Sequence, residues 1–110
     1  MPWGSLRDIY ISVQPEKLDE VFSFLTRALE SRALVLRTED ALSRGLTGRG
    51  PLHPQFRSRT GDILVLPDDD LTVWYEHTRG RKFSLLGMHG GLSPDEMLVP
   101  LAVAPLDRLV

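Results

Sequence analysis

The sequence predicts a small single α+β domain: one mixed β-sheet with a β-α-β-α unit at its start, a β-hairpin and a C-terminal edge strand. Three observations lead there. Residues 6–13 alternate apolar and polar side chains, residues 16–31 repeat apolar ones at helical spacing, and two β-prone runs flank the triplet Asp68-Asp69-Asp70. At 110 residues and 42% hydrophobic content, the chain is long enough to bury one core.

In residues 6–13, Ile9, Ile11 and Val13 share one face and Asp8, Tyr10 and Ser12 the other, the pattern of a half-buried strand. Pro15 ends that strand and suits the first turn of a helix. Leu18, Val21, Phe22, Leu25, Ala28 and Leu29 then form one apolar stripe, with Glu16, Lys17, Asp19, Glu20 and Arg27 mostly elsewhere. This is an amphipathic helix of about four turns, expected to pack on its own sheet rather than on a partner. Residues 33–36 read as a strand parallel to the first through a right-handed crossover. Thr38 caps a short helix that reaches 42–44, and Gly45 stops it. The unit spanning 6–45 is thus structural.

Residues 46–61 form a loop rich in Gly, Pro and Arg, with a turn of helix at 54–59. Its glycines do not match a phosphate-binding loop, because no G-x-x-x-x-G-K-[ST] spacing occurs. Arg49 and Arg57 are candidates to meet an anionic substrate, since a guanidinium fork suits phosphate; the alternative is a solvated loop face. His53 is a candidate ligand or base in the same loop, or a loop histidine with neither role.

Residues 62–76 read as a hairpin turning at the three aspartates. A calcium loop would need ligands at alternating positions and a glycine at its bend, so the triplet reads as a solvated turn. A basic loop at 77–82 leads into a short strand at 83–86. Residues 82–104 then hold the densest information. Ser93, Pro94 and Glu96 make a capping box that starts a short helix, and Gly90-Gly91 just before it permit a sharp turn or a close approach. His89 stands on that strand-to-helix turn. Residues 98–104, interrupted by Pro100, read as a final strand at a sheet edge.

The stretch GMHGGLSPDEMLVPL resembles the C-terminal signature of the alkaline phosphatase superfamily, nearest its phosphodiesterase and nucleotide-pyrophosphatase-like branch and the PglZ-type proteins. Residues 46–62, with GRGPLHPQFRSRTGD, also look like a segment preceding that signature. The resemblance implies that His89 is a ligand of one of two catalytic divalent metals, zinc or manganese, and implies that role for no other residue. It also implies the C-terminal region of a phosphoesterase whose N-terminal catalytic half is missing. The family's Ser or Thr nucleophile, D-x-x-x-H pair and Asp-His dipeptide belong upstream, and neither of the last two occurs here. One ligand does not build a two-metal site. The chain alone is therefore expected to be inactive, with metal bound only where another segment completes the site.

Two other functions stay open. One is a non-catalytic interaction module that oligomerises through its C-terminal strand, because an exposed edge must be covered or paired. The other is a small metal or anion binder using His89, His53 and the arginines. A net charge of −2 with interspersed signs does not suggest nucleic acid as a partner. The chain has no cysteine, hence neither disulfide nor thiolate metal site. Neither a signal-peptide pattern nor an apolar run near the roughly 20 residues that span a bilayer is visible, so a cytoplasmic location is expected.

Overall fold

The structure, a computed structural model, describes residues 2–76 and 85–105. Its centre is a four-stranded sheet of β1 (Pro2–Gly4), β2 (Ile9–Ile11), β3 (Ala33–Arg37) and β4 (Ile63–Pro67), in the order β1-β2-β4-β3. The helices are α1 (Leu18–Ala28), entered through a 3-10 turn at Pro15–Lys17, then α2 (Thr38–Ser43), α3 (Phe56–Thr60) and α4 (Pro94–Met97). The class is α+β, as expected from the sequence.

The expected β-α-β-α unit is present as β2-α1-β3-α2. The pairings are antiparallel throughout, not mixed. β2 and β3 do run in the same direction, but β4 lies between them and pairs with both. This insertion also removes the expected hairpin. With both edges of β4 occupied, residues 71–76 have no place beside it, and they form no strand. The hairpin of the sheet lies instead at the N-terminus, where β1 pairs with β2 around a loop at residues 5–8. Trp3 anchors β1 by donating its indole N–H to the Arg59 carbonyl at 2.6 Å.

β4 is buried along its whole length, and its alternation separates two clusters. Ile63 and Val65 point to one face with Ile9 and Val35, where Leu18, Val21, Phe22, Leu25 and Leu29 of the helical stripe cover them. Leu64 and Leu66 point to the other face with Leu36, Ala41 of α2 and Tyr10. The second cover is thinner: α2 is only six residues long, and Leu34 on that face remains 41% exposed. Ala33 meets Pro67 and Arg37 meets Ile63, so β3 and β4 pair over their full lengths.

Residues 98–104 form no strand; they leave α4 uncovered, which corrects the expected edge strand. The physical reason is again the sheet: β2 and β4 are flanked on both sides, and the tail is not beside either outer strand. The expected loop at 77–82, residues 83–84 of the strand expected at 83–86 and the tail from 106 lie outside the described residues, and residues 85–86 form no strand. Among the described residues, no helix is long and apolar enough to cross a membrane.

Candidate functional site

The turn that bears His89 is tied to the sheet by one ion pair formed across 89 residues of sequence. Arg7, in the β1–β2 loop, is only 3% exposed. Its Nε donates to Glu96 Oε1 at 2.9 Å and its Nη2 to Oε2 at 2.6 Å, a bidentate fork. Nη1 donates to the main-chain carbonyls of Asp68, at 3.0 Å, and Leu71, at 2.5 Å. One guanidinium thereby joins three segments: the N-terminal hairpin, the acidic turn after β4, and α4.

Glu96 serves two ends at once. Besides Arg7, its carboxylate accepts the Gly91 N–H at 3.0 Å, the Ser93 N–H at 3.4 Å and the Ser93 hydroxyl at 2.6 Å. The bond to the Ser93 N–H is the half of the capping box expected from the sequence. The Arg7 guanidinium, and after it the Ser93 hydroxyl, hold the Glu96 carboxyl well below the usual carboxylate range. Reciprocally, the bond to Glu96 raises Arg7 above its ordinary value.

Both glycines of the turn have a structural reason. Gly90 sits at φ 105°, a region that side chains rarely adopt, with Asp8 Oδ1 3.2 Å from where a Cβ would be. At Gly91 a Cβ would lie 2.5 Å from Arg7 Nη2 and closer still to Glu96 Oε2. Any larger residue at 91 would have to displace the ion pair.

His89 itself is exposed and makes no hydrogen bond or ion pair among the described residues. Among the described residues, no group of three or more His, Asp or Glu side chains is placed to share a metal ion. Beside the turn opens a cleft of about 580 Å3 with Arg7 and Glu96 among its lining and Asp69, Asp70 and Asp95 on its walls. Arg7 is neutralised by Glu96, so the remaining carboxylates make this cleft unfavourable for a phosphate ester.

Arg49, His53 and Arg57 do not line that cleft. Arg49 borders a separate depression of about 410 Å3 with Arg44, Gly45 and Leu52. Arg57 directs its fork at the Glu39 carboxylate, both partners being solvent-exposed. His53 builds the turn into α3: its Nδ1 accepts the Gln55 N–H at 3.2 Å, and its carbonyl accepts the Phe56 N–H at 2.8 Å. The sequence reading missed Arg7, because nothing local to residues 5–8 signals a partner at residue 96. Comparison with protein-family models, with curated proteins and with solved structures found no match.

Proposed function

We propose that this chain is the C-terminal part of a metal-dependent phosphoesterase of the alkaline phosphatase superfamily, acting in the cytoplasm. It contributes His89 as one ligand for zinc or manganese, in a site completed by an upstream catalytic half, and is inactive by itself. The observation that supports this reading is the state of His89: an exposed imidazole without a described partner, on a turn fixed by the Arg7–Glu96 pair. A metal ligand keeps one ring nitrogen free and donates the other N–H to a second group, which on this reading the upstream half also supplies. Arg49, with Arg44 beside it, is the better placed of the candidate anion contacts, since Arg57 is occupied by Glu39. His53 is retained as a weaker substrate contact because its Nδ1 is engaged in its own turn.

The test pairs calorimetry with reconstitution. The isolated chain is titrated with zinc and manganese, alone and as His89→Ala. It is then mixed with the N-terminal half of a phosphodiesterase that carries the Ser or Thr nucleophile and the Asp-His motif. Phosphodiester hydrolysis that needs both parts and is lost in His89→Ala supports the proposal. Hydrolysis by the isolated chain, or reconstituted activity indifferent to His89→Ala, overturns it.

A further inference from the structure

The segment after α4 is apolar and uncovered: Leu98, Val99, Leu101 and Val103 are 77%, 81%, 88% and 85% exposed. One edge of the sheet is open as well, because β3 is an outermost strand paired only with β4. The ladder fixes which groups face outward. The Thr38 N–H donates to the Asp62 carbonyl and the Asp68 N–H to the Arg32 carbonyl, each at 2.9 Å. In an antiparallel pair, bonded positions recur every second residue, so Leu34 and Leu36 also bond to β4. Ala33, Val35 and Arg37 therefore turn their main-chain groups away from it. The Ala33 N–H is taken by the Leu29 carbonyl, and Arg37 is the N-cap of α2, whose carbonyl accepts the first helical bond. That leaves the Val35 N–H and carbonyl, the Ala33 carbonyl and the Arg37 N–H without a main-chain partner among the described residues.

We propose that residues 98–104 of one copy add to β3 of a second copy as an antiparallel strand, and that the exchange is reciprocal. Pro100 sets the register. Lacking an N–H, it must face away from β3, which turns Val99, Leu101 and Val103 toward it. With Leu101 opposite Val35, Val103 falls opposite Ala33 and Val99 opposite Arg37. All four open groups are then met: Leu101 exchanges both bonds with Val35, the Val103 N–H reaches the Ala33 carbonyl, and the Arg37 N–H reaches the Val99 carbonyl. Paired residues share a face, so Leu101 extends the row Ile9, Val65, Val35 beneath α1. Pro100 and Ala102 fall on the face of the half-exposed Leu34.

Topology favours a second copy over the chain's own β3. Leu92, Ser93 and Pro94 border a small depression with Leu34 and Pro67, so α4 begins at the Ala33 end of β3. A tail leaving from that end runs parallel to β3 unless it first travels the strand's length, about 16 Å for five residues. A tail from another molecule has no such constraint, and reciprocal exchange closes as a two-fold dimer.

The experiment compares wild type, Leu101→Pro and Ala102→Pro by sedimentation equilibrium over a wide dilution series, with circular dichroism to confirm the fold. Leu101→Pro removes the N–H aimed at the Val35 carbonyl, while Ala102→Pro removes one that faces away from β3. Wild type and Ala102→Pro are expected as dimers, with dissociation at least about tenfold easier in Leu101→Pro. A wild type that is monomeric at every concentration overturns the proposal. So do prolines of equal effect, which would deny the register, and a monomer whose melting temperature falls in Leu101→Pro, which would place the tail on its own sheet.

Discussion

Replacing Arg7 by Met keeps a long apolar stem at a nearly closed position and removes every donor of the clasp. Two consequences can be sized from the structure. The carbonyls of Asp68 and Leu71 lose their donor, and a buried acceptor left unpaired costs about 1–3 kcal/mol. Both residues lie on an exposed turn where water recovers part of this, so the two together cost about 2 kcal/mol. In a domain of this size that lowers the melting temperature by roughly 10 °C and the urea midpoint by about 1–2 M. The assay is urea unfolding at pH 7 followed by tryptophan fluorescence, then repeated toward acid. A carboxyl depressed in the folded state contributes stability above its unfolded pKa and loses it as pH falls through the lower folded value. Wild type should therefore retain the Glu96 contribution to well below pH 4, the ordinary carboxyl being near 4.3. In Arg7→Met the main cause of the depression is gone, so that contribution is lost nearer pH 4. The gap between the two proteins should narrow as wild type also protonates. An unchanged midpoint at pH 7 would refute the reasoning, because it would mean that the guanidinium is already served by water.

Two further substitutions examine the same chain of reasoning. Gly91→Ala places a methyl group against Arg7 Nη2 and Glu96 Oε2, so unfolding should become easier, with little added in the double variant with Arg7→Met. Additive losses would separate the glycine from the clasp. Ile63→Val removes one methyl from a fully buried site and should cost about 1 kcal/mol by urea unfolding, whereas no loss would place Ile63 outside the core.

The parts of the fold legible in the sequence are those set by local periodicity. The stripe from Leu18 to Leu29, the stop at Gly45 and the capping box at Ser93 each stand where their spacing put them. What local pattern does not encode is which strand neighbours which. The run at 63–67 is apolar at every position, consistent with a central strand, and the structure buries it on both faces between β2 and β3. That reading would have excluded a hairpin with residues 71–76, since a strand has only two edges. β1 was missed because Pro2, Trp3 and Gly4 offer too short a pattern to register as a strand. The site shows the same division. His89 and its glycines are visible as a local motif, whereas Arg7, whose partners lie 61 to 89 residues away, is not.

The clasp also changes what the glycine pair means. Two glycines beside a histidine suggest room for a ligand, but here Gly90 answers to its dihedral angle and Gly91 to the ion pair behind it. Neither leaves space for a substrate. A buried ion pair adds little stability over an apolar pair of the same volume, so its use here is positional. α4 has four residues, too few to hold itself as a helix in water. Its place, and with it the place of His89, is set by a guanidinium bonded to Glu96 on α4 and to the Asp68 and Leu71 carbonyls, while Glu96 in turn holds the Gly91 N–H. Among the described residues after α4, Leu98, Val99, Leu101 and Val103 stay exposed, and β3 remains an outermost strand of the sheet. One chain thus presents an exposed histidine on a held turn and, a few residues on, exposed apolar side chains, the two features on which the proposals above rest.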